Sequence, residues 1–545
     1  MKKIILYAAI LCSIVASCKN EEKDIKVDNA KTISKRDLSI TKANSYSDIF
    51  LDSMQMEKFI AENHITDSIA YPMRSFYNSR NYQYAWFSTD GLTEQARAFW
   101  NLHQYVTTYD KDSSLHDKKL EKRMNAIVAE DSLTIGANNS NYANTELTLT
   151  AHFMKYMLHH YETGYLSRMQ IEGLMPKKKE TIMAAADSLL NEKIQGDDEY
   201  IEQSNEAYRL LKEQLKNYFQ IAKNGGWPQV EIEKKSLKKG AKAPEIVLIK
   251  KRLSITGDMP ASDSSDVFGD TLFNGVQSIQ KRYGYKPDGV ITAQLVKDLN
   301  VPVENRIEQL LINMDRMRWM PTAPNGKLIV VNIPEFMLHV YEGKKVAFSM
   351  PVVVGKEGHN TTIFSGNMNQ IVFSPYWNVP ESIVKQEILP KLEADPFYLE
   401  EHNMEETGTD DDDSVPSIRQ KPGPDNSLGR VKFLFPNSFN IYLHDTNAKS
   451  LFNNDKRAFS HGCIRLSDPV KLANYLLKDN PEWTPEKIEE AMNQTEPQTV
   501  NLKNRVPVMI TYYTAWVDNS GKINFRDDIY DHDKELAQKM FSDAI

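Results

Sequence analysis

Apolar positions recur at three-, four- and seven-residue intervals between about residues 50 and 235. Leu147, Met154, Leu158, Tyr161 and Tyr165 fall on one helix face. Tyr208, Leu211, Leu215, Tyr218 and Phe219 do the same, until Gly225-Gly226-Trp227-Pro228 stops the run. The spacing predicts a helical domain over 49–238. A smaller helical unit is expected over 239–302, where Val276 and Ile279 lead into Tyr283-Gly284-Tyr285-Lys286-Pro287-Asp288-Gly289 and a short helix follows through Leu295 and Leu299. Its Pro-Asp-Gly is a turn with a mechanism: proline presets φ, aspartate caps and glycine takes positive φ. Past residue 327 the period shortens. Leu328–Val331 and Met337–Tyr341 are apolar runs of strand length, and Glu342-Gly343-Lys344 turns the second into Val346–Met350. Between Ser382 and Asn426 the strand pattern breaks: Ile383–Leu392 reads helical and Glu405–Asp413 is strongly acidic. A long irregular stretch inside a domain is usually functional or disordered. The whole reads as a multidomain α+β chain.

Composition narrows the class. With 545 residues, 41% hydrophobic and 26% charged, the chain is neither collagen-like, coiled-coil nor largely disordered. A net charge of −8 provides no overall basic field for nucleic acid. Lys2-Lys3 precede an apolar stretch, Ile4–Ala16, too short to cross a bilayer and suited to a signal peptide. It ends in Val15-Ala16-Ser17-Cys18, which resembles the lipobox of bacterial lipoproteins. That resemblance implies a signal segment with lipobox over 1–18, cleaved just ahead of Cys18 so that a lipid-bearing Cys18 becomes the first residue of a membrane-anchored periplasmic protein; an ordinary secretory signal is the alternative. The polar stretch over 19–48 reads as a flexible linker.

Cys12, Cys18 and Cys463 are the cysteines of the sequence. Cleavage and lipidation would leave Cys463 as the one thiol. It lies in Ser460-His461-Gly462-Cys463-Ile464-Arg465, and a strand-like Tyr442-Leu443-His444-Asp445 sits upstream. A thiol needs a nearby base to ionise near neutral pH, and His444 and His461 are the local candidates. Ser460-His461-Gly462-Cys463, fifteen residues after His444-Asp445 begins its gap, resembles the signature of the L,D-transpeptidase (YkuD) catalytic domain. Val352-Val353-Val354-Gly355-Lys356, Ser374-Pro375-Tyr376-Trp377-Asn378-Val379-Pro380 and Thr514-Ala515-Trp516-Val517-Asp518 resemble the large YcbB-like branch, as do Phe76-Tyr77 and Tyr84-Ala85-Trp86-Phe87 of a scaffold region. The unit at 239–302 is similar to small peptidoglycan-binding domains.

The resemblance implies a catalytic domain over 303–530, a capping insertion at about 382–426 and a C-terminal tail over 531–545. It implies acyl transfer: tetrapeptide stems of peptidoglycan are donors and acceptors, and 3→3 cross-links form through a thioacyl-enzyme. Cys463 is then the nucleophile and His444 its base, oriented by the backbone carbonyl of Asp445. Gly462 and Cys463 N–H groups, with Tyr442, are expected at the oxyanion. Arg465 and Ser460 hold the loop or a stem carboxylate, His461 fixes the loop or touches substrate, and Trp377 lines the groove. Carbapenem acylation of the thiol is expected from the family. A cysteine peptidase cutting stems and a non-catalytic wall-binding lipoprotein are the competing readings. No cofactor or metal is expected. His152, His159 and His160 lack a second ligand cluster, and Asp410–Asp413 reads as a solvated loop.

Overall fold

The computed structural model describes residues 33–109, 113–128, 135, 140–161, 168–191, 202, 205–261, 263–319, 326–343, 345–408, 415–437 and 439–544. Cys12, Cys18 and Asp410–Asp413, and the side chains of His159, His160 and Tyr161, lie outside what is described. No helix among the described residues is long and apolar enough to cross a membrane.

The helices that position the site are α1 (Asp67–Ser79), α2 (Glu94–Tyr109), α3 (Ser140–Tyr161), α4 (Glu206–Lys223), α5 (Glu245–Ile255), α6 (Asp270–Arg282), α7 (Val303–Met317) and α8 (His532–Met540). Trp86, Phe99, Phe153 and Trp319 meet edge-on or tilted, with centroids 5.1–6.5 Å apart. Such aromatic pairs add to the burial of their large surfaces. Tyr208, Leu211, Leu215 and Tyr218 of α4 are buried, as their spacing predicts.

The expected boundaries shift. Residues from Tyr46 to Trp319 share one apolar core with Ala515, Ile523, Phe525, Leu536, Ala537 and Phe541. Helix α7, expected in the catalytic domain, packs its Ile307, Leu310, Leu311 and Met314 into this helical core. The expected tail is helix α8, whose Leu536 and Ala537 are buried. Part of the expected linker is folded as well: Ile40 is buried, Ser34 donates to Glu172 at 2.8 Å, and the Tyr46 hydroxyl donates to Gln95. The small unit around α5 and α6 is continuous with this core rather than a separate globule. Charge ties these pieces together. Arg316 of α7 bonds Glu94 of α2 at 2.5 Å and Asp533 of α8.

The second core is built on a sheet. Its strands are β1 (Lys327–Asn332), β2 (Met337–Glu342), β3 (Lys345–Gly355), β4 (Phe364–Phe373), β5 (Val431–Leu434), β6 (Leu443–His444), β7 (Ala458–Ser460), β8 (Ile464–Leu466) and β9 (Gln498–Thr511). Among the described residues the order is β7-β3-β8-β6-β5-β4-β9-β1-β2, and β2 pairs back onto β3 to close the sheet. Pro469–Leu477 and Pro485–Ala491 cover its apolar face, burying Leu472, Leu476 and Ile488 against Ile464 and Leu443. Between β4 and β5 lies the insertion. It is more ordered than its sequence suggests, with helical turns over Glu381–Ala394 and a hairpin pairing Met404–Gly408 with Ser417–Gln420. Val379, Ile383, Val384, Ile388, Met404 and Ile418 give it a small core of its own.

Candidate active site

The short parallel pairing of β6 with β8 sets the site. Leu443 lies beside Ile464 and His444 beside Arg465, while Ile464 N–H donates to the Tyr442 carbonyl at 3.2 Å. Side chains alternate along a strand, so Tyr442 and His444 share a face with Cys463 and Arg465. Lys432 of β5 pairs with His444 and joins them there. The residues between, Leu443 and Ile464, point the other way and are fully buried. That alternation is why five chemically active side chains sit together over one apolar core.

Cys463, a free cysteine, lies at the exit of a turn that two hydroxyls brace. Gly462 has φ +108°, a conformation that L side chains rarely adopt. Ser460 Oγ donates to the Cys463 carbonyl at 2.6 Å and accepts from Gly462 N–H at 3.2 Å. Thr361 Oγ1 donates to the Gly462 carbonyl at 2.7 Å and accepts from Gly355 N–H at 2.9 Å. Gly462 N–H, expected at the oxyanion, donates to Ser460 Oγ in this structure and so helps close the turn. Ser460 holds the loop.

His444 is buried, and its Nδ1 bonds the Asp445 carbonyl at 2.5 Å. A carbonyl only accepts, so Nδ1 carries the proton and Nε2 keeps its lone pair. The Asp445 carboxylate takes Arg430 N–H at 2.9 Å and Lys449 Nζ at 2.7 Å. It fills the space beside Gly429, where an added Cβ would come within 2.5 Å of it. That carboxylate braces the strand end, and the carbonyl orients the ring. Burial first, then the Arg465 charge, depress the His444 imidazole to about 3.

The thiol and imidazole share the face without a hydrogen bond between them. Sγ donates to the Asn440 carbonyl at 3.7 Å, and Tyr442 touches both groups, its hydroxyl bonded to the thiol and its ring 5.7 Å from that of His444. Burial raises the Cys463 thiol, against hydrogen bonds from the Tyr442 backbone and hydroxyl and the charges of Arg465 and Lys432. The resting pair is a neutral thiol and a neutral imidazole.

Lys432 and Arg465 were not expected as a pair; nothing in the spacing of Val431-Lys432-Phe433 reveals its cross-strand neighbours. Burial depresses both cations, and the thiol acts against that depression in each. Among the described residues neither has a carboxylate partner, and Arg465 Nε is buried without a hydrogen bond. Two desolvated cations beside a thiol form a socket for an anion.

His461 faces the insertion. Its Nε2 lies 3.0 Å from Glu387, and its ring meets His359 edge-on with centroids 4.8 Å apart. The sequence reading omitted Glu387, which sits far away in the chain. Trp377 is placed in the insertion's small sheet, opposite Gln420, and packs on that unit's own core. Among the described residues no group of three or more His, Cys, Asp or Glu side chains is placed to hold a metal; His152 Nδ1 instead bonds His103 at 3.0 Å.

Residues 326–508 match the L,D-transpeptidase catalytic domain, YkuD, and residues 72–215 match the Scaffold domain. These two stretches are thus similar to a YkuD L,D-transpeptidase catalytic domain and to a Scaffold domain. A relative from Haemophilus influenzae, described as a putative L,D-transpeptidase, is 32% identical over 246 residues, which are 43% of this chain and 49% of that protein. The chain therefore spans about half the length of this curated relative. Among solved structures, an L,D-transpeptidase from Stackebrandtia nassauensis is 14% identical, with 50% of this chain and 96% of that chain covered and a TM-score of 0.21. L,D-transpeptidase 3 from Mycobacterium tuberculosis, in complex with a faropenem-derived adduct, is 17% identical, with 34% and 60% covered and a TM-score of 0.18.

Proposed function

We propose that this protein is an L,D-transpeptidase that joins peptidoglycan stems by 3→3 cross-links through a thioacyl-enzyme. The observation that carries this reading is one sheet face holding Cys463, Tyr442, His444 and two cations that have no carboxylate partner among the described residues. Cys463 sulfur attacks the carbonyl of the third residue of a tetrapeptide stem as its proton passes to His444 Nε2. The tetrahedral oxyanion is met by Cys463 N–H and the Tyr442 hydroxyl. Collapse breaks the amide bond, and imidazolium returns the proton to the departing D-alanine amine. An acceptor stem's side-chain amine then attacks the thioester. The new amide forms, the carbon–sulfur bond breaks, and the proton passes through His444 back to sulfur.

Lys432 and Arg465 hold the carboxylate that the donor stem presents and lower the cost of negative charge on sulfur. The insertion held at His461 restricts water, which favours transfer over hydrolysis. An N-terminal lipid on Cys18 would tether the enzyme to a membrane facing the wall.

The test is a muropeptide digest after incubating the purified protein with tetrapeptide stems. Wild-type protein should yield 3→3 dimers and free D-alanine, whereas Cys463→Ala should yield neither and keep its unfolding transition. Tripeptides without dimers would establish the hydrolytic alternative, and dimers from Cys463→Ala would refute the assignment.

A further inference from the structure

A second cavity, away from the thiol's own contacts, lies where α2 crosses β4. Its volume is about 430 Å³, and helical residues wall one side and sheet residues the other. That is within the size range of small-ligand sites. Six carboxamides contribute to the lining, Asn101, Gln104 and Asn125 from the helical side and Asn367, Asn369 and Asn437 from the sheet side, beside the ionisable His116, Asp117, Glu121 and Arg505; Gln104 bonds Asn125 at 3.2 Å, and Asn437 is taken up by its own turn. Trp100, Phe364 and Phe439 add aromatic surface.

Three features separate this lining from a packing defect. Asn367 Oδ1 is buried and has no hydrogen-bond partner, an acceptor whose desolvation nothing in the protein offsets. The β9 ladder shifts register between Asn501 and Val506 opposite β4, and the bulge carries Arg505 to the cavity, exposed and without a carboxylate partner among the described residues. Bulges of this kind re-aim side chains near functional sites. Finally, the cavity adjoins the thiol through the chain itself. Phe439 lines it, and the next carbonyl, that of Asn440, receives the Cys463 thiol.

Amide side chains donate and accept at once, matching hydroxyl and N-acetyl groups, and aromatic surface matches the apolar faces of sugar rings. We propose that this cavity binds N-acetylated amino-sugar units of the glycan strand from which the stem hangs. This rests on the reading of the thiol as a stem-peptide acyltransferase. An extended residue spans about 3.3–3.6 Å, so three stem residues reach about 10 Å from sugar to scissile carbonyl. The cavity would anchor the strand while β6 and β8 hold its peptide.

The test titrates the full chain with a stem-free tetrasaccharide of alternating N-acetylglucosamine and N-acetylmuramic acid, and separately with a sugar-free tetrapeptide stem, by isothermal calorimetry. The tetrasaccharide should bind saturably, and Asn367→Ala and Asn101→Ala, one from each wall, should each weaken it at least tenfold. Both variants should acylate at Cys463 with imipenem at the wild-type rate, read by intact mass. Absent tetrasaccharide binding, or binding unchanged in both variants, overturns the proposal while normal acylation leaves the thiol assignment standing. Tetrapeptide binding that the same substitutions weaken overturns it in favour of a peptide groove. Failure of wild-type acylation would strike the active-site reading instead.

Discussion

The turn that presents Cys463 depends on one hydroxyl more than on any other side chain. Ser460 is 2% exposed, and its Oγ both donates to the Cys463 carbonyl and accepts from Gly462 N–H. In Ser460→Ala both bonds vanish, and the buried Gly462 N–H has nothing to donate to. Leaving a buried donor unsatisfied costs about 1–3 kcal/mol, and the loss of the second bond falls within the same turn. Because Thr361 still grips the Gly462 carbonyl, the cost should surface as local opening and leave the sheet intact. Local opening of that size accelerates amide exchange about five- to 150-fold, by the factor of ten per 1.4 kcal/mol. Hydrogen exchange read by mass spectrometry on a peptide covering 458–466 should show that increase, and acylation of Cys463 by imipenem should slow in parallel. Ser460→Thr retains the oxygen and should restore both. If Ser460→Ala exchanges and acylates at wild-type rates, the hydroxyl is not the brace, and the account of how the thiol is presented fails.

Other outcomes follow from the same coordinates. Arg316→Ala leaves the buried Asp533 and the half-buried Glu94 without their cation, and chemical denaturation should record a loss of about 3–5 kcal/mol. Burial raises the thiol above its ordinary range and depresses His444 to about 3, so near neutrality both are uncharged and no thiolate–imidazolium pair forms at rest. Alkylation of Cys463 by iodoacetamide should therefore climb with pH without a plateau below about pH 8.5, and a plateau near neutrality would contradict that sign. At His461 burial lowers the imidazole, as do Lys356, His359 and Arg465, while Glu387 alone raises it. Glu387→Gln should move the His461 ring-proton titration, followed by NMR, to lower pH, and an upward move would exclude the contact.

The helical and sheet regions were legible because buried faces impose a period, and Tyr208, Leu211, Leu215 and Tyr218 lie where that period puts them. The thiol and its upstream histidine were legible because the motif is short and local. What escaped is non-local. The ownership of α7 depends on which core receives Leu310 and Met314, and each face of an amphipathic helix looks the same before its partner is known. Lys432 escaped because alternation tells which face a side chain takes, and only the register with β6 tells that His444 is beside it. Glu387 escaped for the same reason, 74 positions from its histidine in the chain. The contact of Gly462 N–H with Ser460 escaped because a glycine turn shows that an N–H is presented, not which side chain reaches it.

The interleaving of the two cores sets an order on biosynthesis. Helix α8 closes the helical core through Leu536, Ala537 and the contact of Asp533 with Arg316, and it is synthesised only after the whole sheet. Domains otherwise tend to fold from the N-terminus as they emerge. Here the helical body must wait, incomplete, while the sheet between its two parts is synthesised and folds. Its Arg316, still lacking Asp533, and its open apolar seam over that interval are what a nascent-chain chaperone would meet.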